Sequence, residues 1–355
     1  MSCVLPVNQS DEESAETKLY ANDVAVALVC LVTSLVSLLV NGLVGVGLLK
    51  LKLMRNQFIY LCLSSAAADC GVLAVFLLWV VPVTFGRAER LANSFLGRKV
   101  GHLSLFFWFA SLYSMLAISI NRLVGVVKLF LKAFQFWFSK RNTRALIVAI
   151  WLVAAVHALL YFVPTCDFIY DPLWYLWYYS PGPCNGIMVF MDLGYGIFVI
   201  TILFALNLIT GWSIRTKNNK TAPVQLVHNT EMKKRREKEI SFFVQACINA
   251  SIYILMLLSF HVLSRFLTGK KPLFLATSWI WQFTHGTNGF ILFLFNRELR
   301  DGLVVWVFRL NKKVVPTTRH PREMNRGRAT RLKPGGEIEL SPHHRNTKPA
   351  PPSKQ

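Results

Sequence analysis

The stretch Leu103–Val127, LSLFFWFASLYSMLAISINRLVGVV, decides the class of this chain. Its length of about 25 nearly unbroken apolar residues is enough for one helix to cross a bilayer, yet it carries Asn121-Arg122 toward its end. A charge in such a segment is costly and needs a partner or a task. Helical steps of three and four back from Arg122 reach Ile118, Met115, Ser111, Trp108 and Ser104. Two hydroxyls and a guanidinium therefore share one stripe, which suits a face turned toward other helices rather than toward lipid. Ser104 lies roughly 27 Å along the helix from Arg122. Such a face can sense something at one end and finish on a charge at the other. The plainer reading is that Arg122 snorkels to the interface as an anchor.

Composition supports a membrane protein. Charged residues make up 16% of the chain and hydrophobic ones 54%, whereas an ordinary soluble domain has ~25% charged residues. The formal charge of +21 does not point to nucleic acid, because the basic residues sit in short runs between apolar spans. The cysteines (Cys3, Cys30, Cys62, Cys70, Cys166, Cys184 and Cys247) form no CxxC and no Cys/His cluster, so no metal is expected. Cys30, Cys62, Cys70 and Cys247 fall inside apolar spans and read as packing residues. There is no nucleophile–base arrangement and no phosphate loop, so neither an enzyme nor a cofactor is expected.

Seven apolar spans read as 23–49, 58–84, 101–127, 144–164, 186–212, 240–267 and 273–295, each near or above the ~20 residues needed to span. The predicted fold is an all-α membrane protein, a seven-transmembrane helix bundle over 23–295. A short acidic tail, 1–22, precedes it, carrying the sequon Asn8-Gln9-Ser10 and no basic n-region of a cleaved signal peptide. Residues 296–310 place Leu299, Leu303, Trp306 and Leu310 at helical spacing among Arg297, Arg300 and Arg309, which predicts a short amphipathic helix on the membrane face. Residues 311–355, rich in Pro, Gly, Arg and Lys, predict a disordered basic tail. No repeat relates the two halves.

The connectors orient the bundle. With the N-terminus outside, 31 of the 39 Lys and Arg residues fall on or border the inner side, as the positive-inside rule requires. The run Lys233-Lys234-Arg235-Arg236-Glu237-Lys238 beside the sixth span suits anionic inner-leaflet lipids and is also placed to meet a cytosolic partner.

Polar residues inside the spans carry most of the functional information. Asn41 lies in the first span, Asp69 in the second, Arg122 closes the third beside Asn121, and Asn288 lies in the seventh. Each would cost several kcal/mol facing lipid, so they are expected to face one another or internal water. They form either a plain interhelical hydrogen-bond network or one with two arrangements that acts as a switch.

These positions resemble those of rhodopsin-like G-protein-coupled receptors, which carry an Asn, an Asp, an Arg, a Trp and an Asn in the places held by Asn41, Asp69, Arg122, Trp151 and Asn288. The chain resembles more closely the nematode serpentine chemosensory receptors of class X. The likeness covers residues 20–300 and is carried by Phe58–Trp79 (FIYLCLSSAAADCGVLAVFLLW), Gly101–Trp108 (GHLSLFFW), Ser119-Ile120-Asn121-Arg122, the pair Cys166 and Cys184, and Asn288-Gly289-Phe290. It implies a chemosensory receptor at the plasma membrane, sensory cilia included. A small-molecule ligand and a heterotrimeric G protein would be its partners. Several details depart from the rhodopsin-like pattern. Asn121 replaces an acid beside Arg122, Gly289 replaces a proline, and Leu292 stands where a tyrosine is usual. The sixth span has no proline, and no cysteine opens the third. A transporter or channel is the alternative, against which stand the missing repeats and the lack of paired broken helices. A receptor-like protein that has lost coupling is a third reading, given Asn121.

The outer halves of the spans would frame a ligand pocket. Its candidate residues are Ser104, Trp108, Ser111, Asp192, His261, Trp279 and Gln282. Aromatics at these depths more commonly pack or form an interface belt, and His102 and His261 read as lone structural histidines. Cys166 and Cys184 bracket CDFIYDPLWYLWYYSPGPC, an outer loop facing an oxidising compartment. A bridge between them would hold the loop's aromatics as a lid, and two free thiols at helix ends are the other reading. The charge asymmetry predicts that Asn8 is glycosylated and that residues 311–355 are cytosolic. Protease applied to sealed right-side-out vesicles should spare the tail, and its digestion from outside would sink the topology.

Overall fold

The computed structural model describes residues 9–50, 57–126, 138–163, 165–220 and 230–307. The sequon at Asn8 and the tail 311–355 lie outside the described residues, as do the side chains of the basic run 233–236.

Among the described residues, six helices are long and apolar enough to cross a membrane. We label them α1 (Gln9–Lys50), α2 (Gln57–Phe85), α3 (Phe95–Val126), α4 (Lys140–Phe162), α5 (Asn185–Thr216) and α6 (Thr230–His261, with its apolar part within Ile240–Phe266). A seventh, α7, is helical over 270–295 in three consecutive segments. α1 begins at Gln9, so helix already covers most of the segment expected as an acidic tail over 1–22. The helices close into a ring: α1 packs on α2 and α7, α2 on α3, α3 on α4 and α5, α5 on α6, and α6 on α7. α3 is the most buried of the six spans and α4 the least.

The break in α2 has a chemical cause. Pro82 has no N–H to give, and its ring opposes the carbonyl one turn earlier, so α2 widens into a π-turn over Phe76–Val80 just before it. A second π-turn, Phe190–Gly194, carries Asp192, and a third spans Leu275–Trp279. The link from α6 to α7 passes through Gly269 at φ 96°, where a side chain would be strained.

The amphipathic helix forms as α8, Arg297–Val307, started by Asn296, whose Oδ1 accepts from the Leu299 N–H at 3.2 Å. Leu299 and Leu303 are buried against α1, where Gly47 admits them: a Cβ there would meet Leu303 at 2.7 Å. Trp306 is exposed, and Leu310 lies outside the described residues. α8 is thus seated on the bundle through a small apolar cluster with Val44, Leu48, Phe58, Phe242 and Leu292.

The loop between α4 and α5 is a β-hairpin, the one strand pair among the described residues. β1 (Phe168–Asp171) pairs antiparallel with β2 (Leu176–Tyr179), with Phe168 opposite Tyr179 and Asp171 opposite Leu176. Asp171 Oδ1 accepts from the N–H groups of Leu173 and Trp174, and Tyr175 turns the chain at φ 58°. Cys166 and Cys184 are joined by a disulfide, with Cα atoms 5.2 Å apart. Closing 18 residues in this way stabilises by about 3 kcal/mol in the chain-entropy view. Phe168, Tyr170, Tyr175, Trp177 and Tyr179 are buried, whereas Trp174 stays 46% exposed. The hairpin therefore inserts into the mouth of the bundle as a plug.

Gly101 on α3 makes the seating possible, since a Cβ there would overlap the Phe168 carbonyl oxygen, a backbone atom that cannot swing away. Gly101→Ala is expected to lower stability by about 1–3 kcal/mol through overpacking, read as a drop in melting temperature of the purified protein. An unchanged melt would show that the hairpin does not rest on α3.

Candidate functional site

Three polar clusters run along the bundle axis. The middle one centres on Asp69, whose side chain has no exposure. Its Oδ1 accepts from Ser111 Oγ and from His285 Nδ1, both at 2.7 Å, and its Oδ2 accepts from Asn288 Nδ2 at 2.5 Å. Ser111 has one proton and gives it to Asp69, so the Tyr253 hydroxyl, 2.8 Å away, donates to Ser111. Asn288 also donates to Ser65 and accepts from Asn249 Nδ2 at 2.9 Å. One carboxyl thereby joins α2, α3, α6 and α7. Asn41 adds α1: its Nδ2 donates to the Ser37 carbonyl at 3.0 Å and reaches the carbonyls of His285 and Gly286 at 3.4 Å. The approach is close because residue 289 is glycine; a Cβ there would meet Asn41 Oδ1 at 2.7 Å.

Toward α8 lies a narrow cavity, about 20 Å³, lined by Asn41, Ser65, Gln245, Asn249 and Asn288, together with Phe58 and Phe242. Beside it the Arg122 guanidinium carbon sits 3.2 Å from the centroid of the Phe58 ring and 3.8 Å from that of Phe242. Arg122 on α3 is thus clamped between aromatic faces from α2 and α6, a cation–π arrangement.

Under the hairpin lies a second narrow cavity, about 20 Å³, lined by Leu105, Trp108, Phe168, Met256, Phe260 and Trp281 among others, with Asp192 and His261. Asp192 is buried and accepts from the Tyr179 hydroxyl at 2.5 Å, and His261 Nε2 lies 3.1 Å from it. Above it the hairpin is tied down by a second acid. Asp23 of α1 pairs with Arg87 and accepts from the Tyr175 hydroxyl. The Ser278 hydroxyl of α7 donates to the Tyr175 carbonyl at 2.7 Å, and Tyr170 bonds Thr84 at 2.7 Å. Burial pushes the Tyr170, Tyr175 and Tyr179 hydroxyls above their ordinary range, with Asp23 beside Tyr175 and Asp192 beside Tyr179 adding to it. These phenols therefore remain neutral donors.

The candidate residues separate accordingly. Asn41, Asp69 and Asn288 come together, and Ser111 joins them rather than the hairpin-end cavity. Trp108, Asp192 and His261 share that cavity. His261 is not a lone histidine, because Asp192 faces it; His102 lies 3.5 Å from Asp167. Ser104 does not reach the cavity, since its hydroxyl turns back to the Gly101 carbonyl at 2.7 Å. Gln282 ties α7 to α1 through the Cys30 carbonyl and Ser34, and Trp279 stacks on Phe283 along α7. His285, Tyr253, Asn249, Tyr179 and the Asp23–Arg87 pair were not anticipated. His285 was within reach, being a polar residue one helical step before Asn288 on an apolar helix.

No group of His, Cys, Asp and Glu suited to a metal occurs among the described residues. Residues 31–296 match the family described as "Serpentine type 7TM GPCR chemoreceptor Srx". A relative, "Serpentine receptor class X 45" of Caenorhabditis elegans, is 28% identical over 291 residues, covering 78% of this chain and 80% of that one. Squid rhodopsin is similar in fold, with a TM-score of 0.62 at 15% identity over 82% of this chain and 86% of that chain. The chain is a multi-pass membrane protein of the receptor kind, not an enzyme, and it belongs to the Srx family of serpentine seven-transmembrane GPCR chemoreceptors.

Proposed function

We propose that this chemoreceptor binds a small external molecule in the cavity under the hairpin and reports it to a heterotrimeric G protein at the α8 end. The carrying observation is the layered polar axis. A cavity with Asp192 and His261 lies at one end, a network on Asp69 in the middle, and Arg122 at the other. The outside N-terminus and contact of the inner basic segments with anionic lipids follow from the charge asymmetry, and a plasma-membrane or ciliary location from the receptor family. Trp108, Asp192 and His261 are the ligand-side residues, and Asn41, Asp69, Asn121, Arg122 and Asn288 the switch. A ligand screen read as nucleotide exchange on co-expressed G protein tests this directly. Flux of the same compounds into vesicles with no exchange would favour a transporter or channel. A response-free receptor that still binds ligand would be one that has lost coupling.

The aromatic clamp on Arg122 ties α3 to α2 and α6, so a displacement of α6 would release the guanidinium. Arg122→Ala is expected to keep surface expression and abolish ligand-driven exchange. Phe242→Ala is expected to raise basal exchange several-fold, because a cation–π contact of ~1 kcal/mol shifts a two-state balance about fivefold. Unchanged signalling in Arg122→Ala would reduce Arg122 to an interfacial anchor.

Asp69→Asn replaces one accepting oxygen with an N–H donor, so either Asn288 on one side or Ser111 and His285 on the other lose their acceptor. The variant should reach the surface but lose ligand-driven exchange, with a destabilisation of about 1–3 kcal/mol from the unsatisfied group. Wild-type exchange in Asp69→Asn would show that the network is structural only.

A further inference from the structure

A groove runs between α3 and α4. Its volume is about 670 Å³, within the range of ligand pockets, whereas each of the narrow cavities on the bundle axis holds about 20 Å³. Leu116, Ala117 and Ile120 of α3 form one wall, and Ala145, Ala149 and Val153 of α4 the other. The three α4 residues are exposed within a membrane span, so the groove opens toward hydrocarbon. Two successive turns of α4 carry only a methyl there, which leaves a trough that a longer side chain would fill. From Asn142 to Val153 the lining runs roughly 16 Å along α4. That is about half of the ~30 Å hydrocarbon core, the depth of one leaflet's chains. The two ends of the groove differ. Near mid-bilayer lies Tyr113, whose hydroxyl is already bonded to His157 Nδ1 at 2.7 Å. At the other end α4 begins with Lys140, and Arg141 stands one turn before Ala145 on the same stripe. Both cations are exposed, and neither is paired with an acid among the described residues. Arg144, by contrast, lies over the Tyr60 ring of α2 at 5.7 Å.

We propose that this groove is a binding site for one anionic phospholipid of the leaflet at the α8 end, with an acyl chain lying between α3 and α4 and the phosphate headgroup on Lys140 and Arg141. The length and the apolar walls select a chain, and positive charge at one end only selects the head. A small polar molecule would lose its hydrogen bonds to water and find few partners in the groove. A chain moving into the groove from the bilayer gains no hydrophobic free energy, because lipid is as apolar as the walls. Selectivity therefore comes from the headgroup, and that separates a site from ordinary solvation by lipid. Each Lys or Arg near the surface favours an anionic lipid by about fivefold. The chain would touch Leu116, Ala117 and Ile120, whereas Met115, Ile118 and Ser119 of the same helix line the narrow cavity beside Arg122. The lipid thus packs against the back of the helix that carries Arg122.

Photo-crosslinking to the full-length receptor in phosphatidylcholine nanodiscs tests it. The probes are a phosphatidylserine and a phosphatidylcholine that carry a diazirine in the same acyl chain. Nanodiscs present the same lipids at both ends of the bundle, so the result does not depend on which side the N-terminus occupies. The phosphatidylserine probe is expected to label the peptides over 113–120 and 142–153 at least about fivefold more than the phosphatidylcholine probe. Lys140→Gln combined with Arg141→Gln is expected to bring that labelling down to the phosphatidylcholine level. Ala149→Phe, which fills the trough, is expected to remove it for both probes. The comparison of the two probes on the wild-type protein stands even if a variant does not fold. Equal labelling by the two probes overturns the site and leaves ordinary lipid solvation. A preference for phosphatidylserine that survives the double substitution overturns the placement of the headgroup. Labelling displaced by a sterol but not by unlabelled phosphatidylserine overturns the phospholipid as occupant.

Discussion

A carboxyl with no solvent exposure in the middle of an apolar bundle is the constraint on which the rest of this structure depends. Asp69 left unpaired there would cost several kcal/mol, so the surrounding helices must bring donors to it. They bring Ser111 from α3 and both His285 and Asn288 from α7, while Tyr253 and Asn249 of α6 complete the partners of Ser111 and Asn288. Each donor is useful only in register with the others, because a network half satisfied is worse than an apolar core. The helices that meet at Asp69 therefore cannot tilt independently. Any other arrangement of these helices would have to satisfy the acid with a full set of donors, not a partial one.

The hairpin end is governed by a different economy. Its acid, Asp23, pairs with Arg87, which is 30% exposed, so the ion pair itself contributes little once water screens it. The geometry matters more: Asp23 also receives the Tyr175 hydroxyl, and Tyr175 sits at the turn of the hairpin with its carbonyl held by Ser278. α1, the connector after α2, α7 and the hairpin thus converge on one residue. With the Cys166–Cys184 bridge at the open end of the strands and Tyr175 at the turn, the hairpin is fastened at both ends. The rings between, Phe168 and Trp177, then lie at fixed depth against Trp281 and Phe76.

Much of this was legible in the sequence, for reasons tied to particular residues. Spans announce themselves because a bilayer demands length and hydrophobicity together, and Asn41, Asp69 and Asn288 were visible as polar residues where polarity is costly. Ser111 was visible too, but assigned to the wrong cluster: a helical stripe gives the face of α3 and not the depth at which a neighbour's acid lies. The pairing of Asp192 with Tyr179 and His261 was not legible at all, since it joins a hairpin to two helices, and only the strand register decides that Tyr179 points inward. Asp23 was missed as the first residue of the span read as 23–49, where an acid passes for an interfacial end. The π-turn that aims Asp192 has no proline to signal it.

The three clusters are connected through one face of one helix. Phe260 lines the hairpin-end cavity, Tyr253 donates to Ser111, Asn249 donates to Asn288, and Phe242 covers Arg122. These positions are spaced by seven, four and seven residues, so they lie on a single stripe of α6. α6 has no proline between Ile240 and Leu267, and without a proline or a π-turn a helix of this length has no ready place to kink. A rotation or tilt that changes the fit of Phe260 or His261 at the cavity must then be carried along the stripe. It strains the Tyr253 and Asn249 hydrogen bonds and lifts Phe242 from Arg122. Rhodopsin-like receptors with a proline in this span can bend it; a straight α6 has to move as one body.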